Sequence, residues 1–151
     1  MKVVGLRCTK DTLDWIVLEG TDRTTALPLE RHKVAAPAGP HGSRLTWVRQ
    51  EVLELLARHA ADVVGLRVND PGGQSPSLER SEVEGVVQQG LHSQGVECER
   101  LFGATVRSRF KARTAADLDA VASGLPLLAA TAKTRRDPVF AALAVLPARS
   151  G

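Results

Sequence analysis

The chain contains no tyrosine, and aromatic residues make up only 3% of its 151 positions. A core built from it must be aliphatic, and a surface meant to stack unpaired bases would be short of rings. Cysteine is scarce too. Cys8 and Cys98 cannot make a disulfide framework, which points to free thiols in a reducing compartment. The opening MKVVGLRCTKDTLDW lacks the apolar run of a signal peptide. No stretch approaches the roughly 18 apolar residues of a membrane span. A cytoplasmic protein without a membrane partner is the expectation. His32, His41, His59 and His92 show no ligand spacing such as HxxxH. Asp70-Pro71-Gly72-Gly73 is not followed by GK[ST], so a turn is expected there rather than a phosphate loop.

What is present suits one domain over residues 1–151, with 43% hydrophobic and 25% charged residues. The net charge of +3 is unevenly placed. Residues 1–99 hold 11 Lys/Arg and 14 Asp/Glu, whereas residues 100–151 hold 9 and 3. The basic part includes Arg107, Arg109, Lys111, Arg113, Lys133, Arg135 and Arg136. Such a bias could face a phosphate backbone, or it could simply keep the surface solvated.

Hydrophobic periodicity gives the element order. Residues 2–8 (KVVGLRC) read as a buried strand, and 13–19 (LDWIVLE) as its hairpin partner. Residues 24–29, with 32–35, make a third strand before the Pro/Gly loop 36–42. Ser43 can cap a helix over 43–60 whose apolar side carries Trp47, Val48, Val52 and Leu55. A strand at 62–68, a loop at 70–77, a helix at 79–94 closed by Gly95 and a strand at 96–101 follow. The remainder, 105–147, is helical, broken at Gly124-Leu125-Pro126 and near Arg136. The order β-β-β-α-β-α-β-α-α implies an α/β fold with a central five-stranded mixed sheet flanked by helices.

The pentapeptide VVGLR occurs twice, at Val3–Arg7 and at 63–67, each time ending a central strand on arginine. With KVVGLR, ADVVGLRV and EVEGVVQQGLHSQGVECERL in this order and spacing, the chain resembles the RuvC-like branch of the RNase H-like superfamily. More closely, it resembles a small bacterial family of RuvC-like domains. The resemblance covers residues 2 to about 110 and, weakly, the last helix. It implies a two-metal nuclease site, with Mg²⁺ or Mn²⁺ about 3.5–4 Å apart between acidic side chains. The first-strand acid falls at Arg7 and the fourth-strand acid at Arg67. Arginine cannot ligate a metal, and its charge repels one.

Glu84 matches the helical glutamate of the similar family, and Asp137 the aspartate that opens the last helix. Each also has a local reading. Glu84 can return to the Ser81 amide as a capping box, and Asp137 can serve as a favourable charge at a helix start next to Pro138. Arg7 and Arg67 can pair with Glu84 and Asp137, with guanidinium groups in place of metals. Asp11 and Asp70 are candidate substitute acids, although Asp11 and Asp14 read first as solvated turn residues. Cys8 has no histidine partner in sequence for a nucleophile's role. Trp15 and Trp47 read as core.

Three functions follow. The first is a non-catalytic module, or pseudo-nuclease, that binds a protein partner or its own copy. The second is a nucleic-acid-binding module using Arg107, Arg109, Lys111, Arg113, Arg135 and Arg136. The third is a resolvase-like nuclease dependent on Mg²⁺ or Mn²⁺ with a rearranged site of Glu84, Asp137 and an irregular acid such as Asp11 or Asp70. No cofactor is implied by the first two.

Overall fold

The computed structural model describes residues 1–72 and 77–149. Its strands are β1 (Lys2–Cys8), β2 (Thr12–Glu19), β3 (Leu27–Ala35), β4 (Val63–Arg67) and β5 (Glu97–Leu101). They form one sheet in the order β3-β2-β1-β4-β5. The pairs β1/β2 and β2/β3 are antiparallel, whereas β1/β4 and β4/β5 are parallel. The helices are α1 (His41–Arg58), α2 (Leu78–Ser93), α3 (Gly103–Arg109), α4 (Ala115–Gly124), α5 (Pro126–Ala129) and α6 (Asp137–Ala144), with a 3₁₀ turn at Lys133–Arg135.

The sheet separates two aliphatic cores. On one face Val4, Leu6 and Cys8 join Val64, Leu66 and the buried sides of α1 and α2. Val3, Ile16, Leu18 and Val63 turn to the other face, against α6. Period-two alternation on β1 and β4 produces this division. From Pro138 to Ala144 every residue of α6 is buried, as expected of a helix that is apolar all round.

The repeated glycine in VVGLR now has a physical reason. A Cβ at Gly5 would lie 1.8 Å from the Pro138 carbonyl oxygen, and one at Gly65 would lie 2.4 Å from that of Ala141. Helix α6 crosses β1 and β4 so closely that neither strand has room for a side chain there. Gly5 and Gly65 are register partners, so one helix imposes the same demand on both copies.

Three local expectations change. The third strand is continuous over Leu27–Ala35, with a register shift opposite Val17/Leu18. Thr24 and Thr25 belong instead to a turn, where their amides donate to Asp22 Oδ1 at 2.8 and 2.9 Å. Ser43 does not cap α1. The helix starts after Pro40, and the Ser43 hydroxyl donates to the Pro40 carbonyl at 2.7 Å. Trp15 lies in the core at 2% exposure, but Trp47 is half-buried at its margin.

Gly95 takes the left-handed φ of 70° that closes α2. Helix α3 closes the same way without a glycine. Ala112 N donates to Arg107 O at 2.8 Å, Lys111 N donates to Ser108 O at 3.1 Å, and Lys111 itself has φ 55°. A side chain in that conformation costs about 1 kcal/mol.

Candidate functional site

Arg7, next to last in β1, and Arg67, last in β4, are direct register partners on these parallel strands. Strand periodicity puts them on the face of Gly5 and Gly65, at the end of the sheet where α6 begins. Asp137 occupies the first turn of α6, followed by Pro138. Arg7 Nε lies 3.1 Å from Asp137 Oδ2. Arg67 takes a different partner. Its Nη2 donates to Asp70 Oδ2 at 3.1 Å, and its Nη1 to the Val68 carbonyl at 2.6 Å. Asp70 in turn accepts from the Gly103 amide at 2.9 Å, at the first residue of α3. Burial pushes the Asp70 carboxyl up. The Gly103 amide and the Arg67 guanidinium, with Arg107 nearby, outweigh it and hold the group below its ordinary value. Arg67, Arg107 and Asp137 line a cleft of about 80 Å³ closed behind by Val106, Leu118 and Phe140.

Glu84 stands apart from this cluster. It does not cap α2, which starts after Ser77, whose side chain accepts from the Arg80 amide at 3.2 Å. Glu84 lies about two turns further along, 4% exposed. It accepts from the Asn69 amide at 2.8 Å and from Arg80 Nε at 3.0 Å. Burial raises its carboxyl above the ordinary value, while Arg80, the Asn69 amide and Arg67 pull it back. Its ion pair is therefore with Arg80, which also donates to the Arg67 carbonyl at 3.2 Å.

Asp11 stays in the first hairpin turn, accepting from the Thr9 hydroxyl at 3.1 Å. Asp14 is not a solvated turn residue. It is 8% exposed, sits in β2 opposite Arg7, and pairs with Arg31 at 3.3 Å and Arg135 at 3.4 Å. Its burial escaped sequence reading because Arg135 lies 121 positions away. The loop at 70–77 includes residues 73–76, which fall outside the described residues.

The basic residues do not converge. Arg107 joins Arg67 in the cleft, whereas Arg109 and Lys111 line a separate hollow with Arg23. Arg113 is exposed beside α4. Arg136 holds the Leu128 and Thr131 carbonyls at 3.2 and 3.1 Å. Among the histidines, His59 bonds Glu30 at 2.5 Å, His32 packs on Trp15, His41 lies 3.8 Å from Glu79, and His92 is exposed. Burial pushes the Cys8 thiol to about 12 and that of Cys98 to about 11, so neither is an activated nucleophile.

No family model and no curated protein matches the chain. Solved structures do. The structure of Thermus thermophilus RuvC superposes with a TM-score of 0.78 at 20% identity, over 95% of this chain and 92% of that one. T. thermophilus RuvC in complex with Holliday junction substrate gives 0.74 at 19% identity, over 95% and 91%. Fowlpox virus resolvase with Holliday junction DNA gives 0.50 at 16%, over 94% and 91%. The chain has the RuvC-like form of the RNase H fold.

The two-metal site implied by a RuvC-like fold can be tested against these residues. Such a site needs several anionic oxygens converging on hard cations. Here guanidinium groups end both central strands, and Glu84 is engaged on the α2 side by Arg80 and the Asn69 amide. Among the described residues, no group of three or more His, Cys, Asp or Glu side chains is placed to hold a metal ion. The residues do not fit the metals. Also among the described residues, no helix is long and apolar enough to cross a membrane.

Proposed function

We propose that this chain is a non-catalytic RuvC-like module that binds nucleic acid at the carboxyl end of β1 and β4. The observation that carries the reading is the register pairing of Arg7 with Arg67, each bonded to an aspartate. Fixed guanidinium charges occupy the region where a two-metal enzyme concentrates carboxylates. The cleft itself is lined by two cations, Arg67 and Arg107, and one carboxylate, Asp137, which Arg7 pairs, while Asp70 pairs Arg67. A small positive excess on forked donors suits phosphate oxygens. The neighbours that hold Holliday junction DNA make a branched duplex the first ligand to try.

The test is fluorescence anisotropy with labelled four-way junction, duplex and single-stranded DNA and RNA, at about 50 and 200 mM salt. Affinity should fall steeply with salt. Arg67→Ala and Arg107→Ala should each lower the log–log salt slope by about 1. Incubation with Mg²⁺ or Mn²⁺ should leave the DNA intact. Absence of binding at either salt defeats the reading. Metal-dependent cleavage that is lost in Glu84→Ala would instead support an enzyme with a rearranged site.

A second reading, assembly with a protein partner or a second copy, draws on β3. This strand forms one edge of the sheet and exposes Leu27 at 68% and Leu29 at 44%. Exposed strand edges are templates for pairing with another chain.

A further inference from the structure

A second basic site lies at the other end of the sheet. Lys2 of β1 pairs with Glu19, after which the chain turns through Arg23, whereas Arg7 pairs with Asp14 at the opposite end. Helix α6 runs between the two ends, from Asp137 beside Arg7 to Ala144, whose carbonyl accepts from Arg109 at 2.9 Å. That separation is about 10 Å along the helix. At the far end Arg23, Arg109 and Lys111 line a hollow of about 360 Å³, with Val121 and Leu125 as its aliphatic wall.

Three features set this hollow apart. The first is the concentration of cations, Arg23, Arg109 and Lys111, in one lining. Arg109 Nη1 and Nη2 donate to Glu99 Oε2 and Oε1 at 3.2 and 3.3 Å, whereas Arg23 directs its donors to the neutral carbonyls of Leu143 and Arg109 at 2.9 and 3.0 Å. Among the described residues lining the hollow there is no Asp or Glu. The second is rigidity. The Arg23 guanidinium lies 4.4 Å from the Phe110 ring centroid, so its charge is held in place at the back. Burial, and then the neighbouring Arg109 charge, lower the Arg23 pKa, a repulsion that an anion would relieve. The third is Lys111. It occupies the left-handed closing position of α3, where glycine is favoured, and its side chain lines the hollow. A residue that works against its own backbone points to a role for its side chain.

We propose that this hollow is a phosphoryl-binding site, in which Lys111 grips the anion in the field of the fixed Arg23 and Arg109 charges and α4 receives the group that carries it. The inference stands apart from nucleic-acid binding at Arg7 and Arg67. Its ligand is a phosphate group, borne either by a nucleic-acid backbone or by a free phosphorylated molecule.

The experiment titrates inorganic phosphate and pyrophosphate into the ¹⁵N-labelled chain, with chloride at matched ionic strength as control. Saturable amide shifts at Thr24, Lys111 and Ala120 are expected. Lys111→Gly should raise Tm, because it relieves the backbone, while weakening pyrophosphate at least about tenfold. Lys111→Arg should restore the affinity. A purely structural lysine could not give that opposition of stability and binding. Pyrophosphate that displaces labelled duplex, together with weaker duplex binding by Lys111→Gly, assigns the phosphate to a backbone. Pyrophosphate binding without competition assigns it to a free molecule. Both results uphold the site. Shifts no greater than those with chloride, or pyrophosphate binding by Lys111→Gly equal to that of the parent chain, overturn it. Loss of junction binding with pyrophosphate binding intact would defeat only the earlier functional reading.

Discussion

The two copies of VVGLR share sequence, strand type and register, yet their arginines meet different surroundings. Arg7 is 37% exposed and reaches across to Asp137, itself 51% exposed at the mouth of α6. Arg67 is 18% exposed and holds its own loop, through the Val68 carbonyl and Asp70. Asp70 then binds the first amide of α3. The Arg7 pair is a bridge near the surface between a strand and a helix. The Arg67 pair is one link in a chain from β4 through its loop to α3. Identical local sequence determines where a side chain leaves the sheet. The elements packed around it determine what that side chain does.

The glycines mark where the copies remain equivalent, and they carry the largest expected effects. Gly5→Ala would drive a methyl to 1.8 Å from the Pro138 carbonyl oxygen and 2.5 Å from the Ala142 nitrogen. Backbone atoms of a buried helix cannot step aside singly, so α6 must lift from the sheet. A loss of about 3 kcal/mol or more is expected in urea unfolding. Gly65→Ala, at 2.4 Å from the Ala141 oxygen, should cost less but remain above about 1 kcal/mol. Costs below that for both variants would mean that α6 does not ride on the two strands as described.

This contrast also shows how much was legible in advance. The strands were readable because short β-branched runs such as VVGLR and WIVL are bounded by turn residues, and α1 and α2 because their apolar residues keep one face. The repeated pentapeptide disclosed that Arg7 and Arg67 are equivalent positions. Their partners were not readable. Asp137 meets Arg7 only because α6 lies along β1, and the sequence leaves Glu84 open between site acid and local cap because its acceptor role depends on the Asn69 amide in a different loop. Asp14 reads locally as a turn residue, since neither Arg31 nor Arg135 is near it in sequence. Local signals dictate elements, whereas ion pairs belong to the packing of elements on one another.

The arginines themselves should separate in stability. Arg67→Ala removes a half-buried guanidinium, leaves the Val68 carbonyl without its side-chain donor, and frees Asp70 from its ion pair. About 2 kcal/mol is expected. Arg7→Ala removes a pair of which both members are more than a third exposed, and should cost less than about 1 kcal/mol. The same urea series measures both. Equal costs would show that the Arg67 chain ends at Asp70 and does not reach α3.

The smallest effect lies in acid, and it isolates the far end of that chain. Asp70 holds its proton less readily when folded, because the Gly103 amide and Arg67 outweigh the effect of burial. Below the ordinary value of 3.8 the unfolded chain therefore binds the extra proton first, and stability falls as pH drops toward the folded value. Above 3.8 the contribution is fully present. Asp70→Asn removes this titration while keeping an oxygen for the Gly103 amide, so unfolding midpoints plotted against pH should be flatter for the variant below about pH 4. Arg67→Ala should flatten the same region only in part, since the Gly103 amide remains. Parallel profiles for all three proteins would mean that Asp70 is an onlooker, and the distinction between the two arginines would then rest on Val68 alone.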